Sequence, residues 1–332
     1  MIKTFELDVI VTRGKATESE HRVHAAVVGE DDKLIGTARD SNAFTYWRSC
    51  AKPFQVLPFL NSGGFDAVDW GDEQLAIACG SHGGEPEHVT LVENMLRDVG
   101  LEEGDLACGP HEPLTQRGIK KIREAGSRFT RLHNNCSGKH TAMLAWSHHK
   151  GWTTRGYELR EHSVQRAIVN EVALWTDVPC SKMTLAVDGC GVVVFGMTLE
   201  RMALAYSRFA RAAERGEENP RRVVNAMARQ PFLVGGTDRI DSLLIAETHG
   251  RVVAKVGAEG VHCALIADRG IGVAIKVEDG SHRAQVPALI RVLQDLEALP
   301  DPLPPKLAEW MRKPVKNTRG ECVGEVMIRA DA

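Results

Sequence analysis

Strand-forming patterns gather at the two ends of this 332-residue chain, and the long stretch between them reads as helix. Near the start, residues 5–10, 24–28 and 34–36 carry the β-branched, alternating character of short strands. Near the end, residues 240–247, 251–256, 262–267 and 272–277 do the same at close intervals, broken by His249-Gly250 and Asp268-Arg269-Gly270 turn signals. In the middle, residues 86–99 and 159–175 repeat apolar side chains near helical period, the second with an acidic first turn. Residues 220–229 open with proline behind Asn219, a good N-cap, and 284–296 form a further amphipathic pattern. Prolines in Leu299-Pro300-Asp301-Pro302-Leu303-Pro304-Pro305 mark a loop. A sheet assembled from both chain ends and covered by helices accommodates this order. Because parallel pairing needs long crossovers, the close spacing of the late strands predicts a largely antiparallel sheet. The expected fold class is mixed α/β of the α+β kind. One catalytic domain is expected over 1–332, with a helical middle from about residue 50 to about residue 230.

Charge excludes some partners. Forty-one basic side chains nearly cancel 44 acidic ones, so nothing favours nucleic acid or an anionic membrane, and a small-molecule partner is expected. No apolar run approaches the roughly 18 residues that span a bilayer. The opening Met-Ile-Lys-Thr-Phe-Glu-Leu-Asp lacks the basic-then-apolar pattern of a signal peptide, and the expected location is cytoplasmic. There the eight scattered cysteines are reduced thiols: packing residues, metal ligands or reactive groups.

The first constellation is Arg48-Ser49-Cys50-Ala51-Lys52-Pro53, between the extended Phe44-Thr45-Tyr46-Trp47 and an apolar helical run. Pro53 suits the first turn of a helix, which places Ser49 at its start and Lys52 one turn later on the same face. A serine hydroxyl is a weak nucleophile until a neighbouring base takes its proton. A lysine whose pKa is lowered by burial or by a cation such as Arg48 can be that base, and helix N–H groups can stabilise an oxyanion. Spacing alone is a weak signal, since Ser147-His148-His149-Lys150 matches too. That copy ends a helical pattern before Gly151, where lysine complements the helix C-terminus.

Two further constellations follow. Cys79-Gly80-Ser81-His82-Gly83-Gly84 is a glycine-rich loop in which the backbone can approach a ligand; adjacent Ser81 and His82 seldom face each other, so a turn explains the pair better than a nucleophile and base. Lys255-Val256-Gly257 ends a predicted strand, like the Lys-x-Gly element that accompanies Ser-x-x-Lys in penicillin-recognising hydrolases. Asn135-Cys136-Ser137-Gly138-Lys139-His140 enters a helix, and Asp188-Gly189-Cys190-Gly191 exposes a second thiol on a sharp turn. Two thiolates with a nitrogen donor suit zinc. Cys-x-x-Lys is not a standard zinc spacing, so a nucleophilic Cys136 beside His140 and two buried packing thiols stay open as readings.

Together with Cys108-Gly109-Pro110-His111, these motifs resemble, in the same order and over most of the chain, the asparaginase II family, the rhizobial-type class 3 L-asparaginases. The resemblance implies a fold similar to serine β-lactamases and glutaminases, a homodimer, and hydrolysis of L-asparagine to aspartate and ammonia. It implies a catalytic pair of Ser49 and Lys52 and a second pair of Ser81 and a distant lysine, Lys255 or else Lys276. It further implies a zinc site of Cys136, Lys139 and Cys190 that assists substrate binding, with Arg48, His140 and Asp188 on the substrate side. A glutaminase or another small-amide hydrolase on the same scaffold is the runner-up. A catalytically silent zinc-binding protein is the reading from outside enzymes.

Overall fold

The late strands close on the early ones. In the computed structural model, which describes residues 2–332, six strands share a sheet in the order Lys3–Thr4, Leu34–Ala38, Val23–Val28, Ile271–Val277, Val261–Ile266, Val252–Val256. Every pairing is antiparallel except that of Lys3–Thr4 with Leu34–Ala38. Val28 stands opposite Gly272 and Val23 opposite Val277, so the two chain ends meet in one register. The inner strands are buried along both faces, which explains their continuous apolar runs. On one face lies the helix that begins at Leu199. Gly272 lets it approach to backbone contact, because a Cβ there would stand 2.0 Å from the Ala203 carbonyl oxygen. The Ser207 hydroxyl on that helix lies 2.9 and 2.6 Å from the Gly29 and Gly270 carbonyls, which share its one hydrogen.

The chain divides into two compact units. The first comprises the chain up to Cys50, Met197–Arg211 and Glu247–Ala332; the second comprises Ala51–Gly196 and Ala212–Ala246. The first unit holds the six-stranded sheet and a second, four-stranded one in the order Arg312–Lys316, Cys322–Ile328, Val9–Arg13, Ala16–His21. The second unit is mostly helical. Its helix Asp72–Cys79 crosses Ser137–His149 so closely that a Cβ on Gly138 would lie 2.6 Å from the Ile77 carbonyl. The fold class is mixed α/β, as the sequence predicts.

Some boundaries differ from expectation for identifiable reasons. Residues 240–247 form the helix Ile240–Glu247, not a strand: its apolar residues fit both periods over so short a run, and burial of Ile240, Asp241, Leu244 and Ile245 selects the helix. Of the strand expected at 5–10 only Val9 and Ile10 are in one; residues 5–8 link Lys3–Thr4 to Val9–Arg13, which join different sheets. The helix expected from 159 runs Ser163–Thr176, capped by His162, whose ring accepts from the Val164 N–H at 3.2 Å; Glu158 and Glu161 precede it. The helix expected from 220 begins at Glu218, so Asn219 lies inside it rather than capping it. The polar strands Ala16–His21 and Arg312–Lys316 carry too little apolar alternation to be read from sequence. Among the described residues, no helix is long and apolar enough to cross a membrane.

Candidate active site

In the first unit the Ser49 segment is fixed against the end of the strand Val252–Val256. Arg48 opens the 3₁₀ turn Arg48–Ala51 with φ of 53°, a left-handed conformation that a side chain other than glycine adopts only where its surroundings enforce it. The buried Cys50 thiol donates to the Lys255 carbonyl at 2.9 Å, and the Tyr206 hydroxyl donates to the Cys50 carbonyl at 2.8 Å. Gly257 makes room for this: a Cβ there would meet Cys50 Sγ at 3.1 Å and the Trp47 carbonyl at 3.3 Å. The Lys-x-Gly element and the serine segment, some two hundred residues apart in sequence, are thus packed together. Ser49 is half-buried and Lys255 fully buried, with its ammonium on the Val256 carbonyl at 2.9 Å. Lys276, on the neighbouring strand Ile271–Val277, is half-buried and donates to the Val277 and Glu278 carbonyls; burial lowers its pKa from the ordinary lysine value.

In the second unit Lys52 begins the helix Lys52–Gln55 with Pro53 behind it, as the sequence predicts, and is wholly buried. Its Nζ lies 3.0 Å from Ser81 Oγ and 3.2 Å from the Asn135 carbonyl, and also bonds the Gly80 carbonyl. Carbonyls can only accept. Lys52 therefore donates to both, and the Ser81 hydroxyl lies against the same amine. The loop that presents Ser81 is clamped: the Ser81 N–H donates to the Val234 carbonyl at 2.8 Å, and a Cβ on Gly80 would stand 2.7 Å from the Leu233 carbonyl. His82 faces elsewhere. Its Nδ1 accepts the Gly84 N–H at 3.2 Å, which leaves Nε2–H to donate to Ser137 Oγ at 2.9 Å. Burial, with His88 and Lys52 nearby, holds its pKa well below the usual histidine value, so His82 is a neutral structural residue.

The three proposed metal ligands also meet in this unit. Cys136 is the N-cap residue of Ser137–His149 and Lys139 lies in its first turn; Cys190 sits on the turn between the strands Thr184–Val187 and Val193–Thr198. Lys139 Nζ is 3.1 Å from Cys190 Sγ, and Asp188 Oδ2 is 3.7 Å from the same sulfur. The Cys136 thiol donates to Cys190, which together with Lys139 brings the Cys190 pKa down to about 5 against the opposing effect of burial. That same bond and burial push Cys136 up to about 12, while the two sulfurs and Asp188 outweigh burial and raise Lys139. Among the described residues no group of three or more His, Cys, Asp or Glu side chains gathers as a metal site, so a cation here depends on Lys139 as a ligand. Two sulfurs and one amine fit zinc by donor type. His140 is fully buried; its Nδ1 pairs with the Tyr157 hydroxyl at 2.6 Å, and its Nε2 has no partner among the described residues. Burial first, then Lys139, brings its pKa down to about 3, so the ring is neutral.

Sequence reasoning missed Glu85. It follows Gly83-Gly84 at the head of the helix Pro86–Asp98 and is fully buried. Its carboxylate accepts from the Thr237 N–H at 2.7 Å, the Thr237 hydroxyl at 2.8 Å and Arg117 at 2.5 Å. Gly236 leaves the space for it, since a Cβ there would lie 2.7 Å from Glu85 Oε1. One carboxylate thus ties the Ser81 loop to the segment that also supplies the Val234 carbonyl. Gly235-Gly236-Thr237 is the sequence signal, visible only once its partner is known.

Compared with known families, residues 9–328 match L-asparaginase II. The chain belongs to the L-asparaginase II family. This is a family of amidohydrolases, and membership was expected from the order of the motifs. No curated protein matches the chain. Among solved structures, a native form of Mglu aligns at 15% identity over 83% of this chain, with a TM-score of 0.46; this chain spans only 64% of its length. A β-lactamase from Mycobacterium bovis aligns at 12% identity over 82% of this chain and 94% of its own, with a TM-score of 0.41. A Bacillus glutaminase aligns at 15% identity over 84% and 92%, with a TM-score of 0.35. These likenesses are too distant to bear on the chemistry.

The Glu85 clamp has a measurable consequence. Burial raises the Glu85 pKa, but Arg117 and Thr237 outweigh it and hold it below the ordinary 4.5. Its stabilisation is therefore present above that value and lost as pH falls through the lower, folded one. Glu85→Gln is expected to cost about 2 kcal/mol near neutral pH. In chemical denaturation the gap between variant and parent should narrow below about pH 4; a gap independent of pH would contradict an ionised clamp.

Proposed function

We propose that this protein hydrolyses the side-chain amide of L-asparagine, with Ser49 as nucleophile and Lys52 as its base. The observation that carries the reading is the setting of Lys52, a wholly buried amine held on the Gly80 and Asn135 carbonyls within 3.0 Å of a serine hydroxyl. Ser49 lies in the turn Arg48–Ala51, and Lys52 three residues on opens the next helix, the spacing that a serine and its base require. Ser49 Oγ attacks the amide carbon and its proton passes to Lys52. From there the Ser81 hydroxyl, 3.0 Å away, relays a proton to the departing nitrogen, and ammonia leaves. Water then cleaves the ester, Ser49 recovers its proton and aspartate is released. Lys255 supports the Ser49 segment through Cys50.

The same 3.0 Å contact favours one other reading, in which Ser81 is the acyl acceptor and Lys52 its direct base. Cys136, Lys139 and Cys190 would hold zinc. When bound, the ion supplies positive charge and an open coordination position for the amino-acid end of the substrate. Asp188, Arg48 and the unspent Nε2 of His140 are proposed to contact that end.

Ser49→Ala and Lys52→Met should each lower asparagine turnover by about 10⁴-fold or more. Ser81→Ala should lower it by about 10²-fold, with the rate of the parent rising toward alkaline pH as Lys52 loses its proton. Ammonia release from asparagine and glutamine, measured in parallel, checks this. Turnover surviving in Ser49→Ala but not in Ser81→Ala would transfer the nucleophile to Ser81, and release from glutamine alone would make the protein a glutaminase.

Zinc has its own check. With Cys190 already a thiolate near neutral pH and Cys136 and Lys139 held protonated, binding must expel a proton from each of the latter two. Titration calorimetry in buffers of different ionisation enthalpy should show that release, with affinity falling as pH drops. Binding without proton release would remove these residues as ligands.

A further inference from the structure

We propose that Lys139 and Cys190, when they hold no metal and meet dioxygen, become joined by a covalent N–O–S bridge between Nζ and Sγ that thiol reductants reopen. The inference is independent of which amide the protein cleaves. The two atoms lie 3.1 Å apart although 51 residues separate them in the chain. Both side chains are buried, so neither sways away into solvent.

Both are also held from behind. Lys139 follows Gly138, whose backbone is pressed against the Ile77 carbonyl. Cys190 sits in a turn closed by the Gly191 N–H on the Asp188 carbonyl at 2.9 Å and by the Asp188 N–H on the Val192 carbonyl at 2.8 Å.

The competing product is a disulfide between Cys136 and Cys190. It would need the sulfurs drawn to about 2.05 Å with a dihedral near 90°. Cys136 is anchored at its backbone, where its N–H donates to Asn134 Oδ1 at 2.9 Å and its carbonyl accepts the His140 N–H at 3.0 Å. Bridging Nζ and Sγ with one oxygen asks only for a slight approach of two atoms already in contact.

The reaction balances with dioxygen as the four-electron oxidant. Counted from thiol and amine, one S–H and one N–H bond break and the O–O bond is cleaved. One oxygen becomes the bridge, with new S–O and O–N bonds, and the other leaves as water with the two released protons. Sulfur and nitrogen each give up two electrons. A bound zinc ion would engage the lone pairs of both atoms and block the step.

The test uses the full chain, stripped of metal by a chelator and held in air, with anaerobic and zinc-loaded samples alongside. Peptide-mapping mass spectrometry should find the Lys139 and Cys190 peptides as one species, one oxygen heavier and two hydrogens lighter than their sum. Dithiothreitol should separate them again. Cys136→Ser should keep the species, Lys139→Met should lose it, and the anaerobic and zinc-loaded samples should lack it. A linkage of Cys136 to Cys190 lighter by two hydrogens would overturn the proposal, as would oxygen added to the Cys190 peptide alone or no linkage. Because the parent sequence decides among these outcomes, the result does not depend on any variant folding.

Discussion

A lysine amine removed from water must be compensated by polar partners, and much of the second unit is arranged to compensate Lys52. Its partners come from two loops, the Gly80 carbonyl and Ser81 hydroxyl from one and the Asn135 carbonyl from the other. Both loops must hold their shape, because a displaced carbonyl would leave a buried amine unsatisfied at a cost of about 1–3 kcal/mol. Gly80 pressed against Leu233, the Ser81 N–H on Val234 and the Glu85 bonds to Thr237 and Arg117 meet that requirement for the first loop. For the second, Asn134 bonds the Cys136 N–H and Gly138 packs on Ile77. The loops that satisfy the Lys52 amine also hold it against the Ser81 hydroxyl.

Lys139 is a second buried lysine, and its surroundings solve the same problem differently. Where Lys52 has neutral carbonyls, Lys139 has a thiolate, with Asp188 just beyond it. Carbonyl partners tolerate loss of the lysine proton, as a base requires. A thiolate partner favours its retention, so under the proposed zinc binding the Lys139 amine would have to give up its proton.

The main sheet was legible in the sequence because its strands are buried on both faces and read as apolar runs separated by turns. The short helix Ile240–Glu247 was not, since four apolar residues in so short a run fit either period. Single residues with unusual chemistry were legible as well: Ser49, Lys52, Ser81, Cys136, Lys139 and Cys190 all stood out by type and local context. Their contacts were less so. The bond between Lys52 and Ser81 depends on a loop that returns through Val234, and nothing in local spacing reports it. Glu85 was invisible for the same reason, as its partners Arg117 and Thr237 lie far along the chain. The left-handed Arg48 beside the serine also carried no sequence mark, because glycine is the residue expected at such a φ.

The central claim is that Ser49 carries the acyl group while Lys52 and Ser81 move protons. Rapid acid quenching of the parent protein during turnover of asparagine, followed by peptide mapping, tests it most directly. An aspartyl ester is expected on the peptide that contains Ser49, forming and decaying at rates compatible with turnover. An ester found on the Ser81 peptide instead would contradict it.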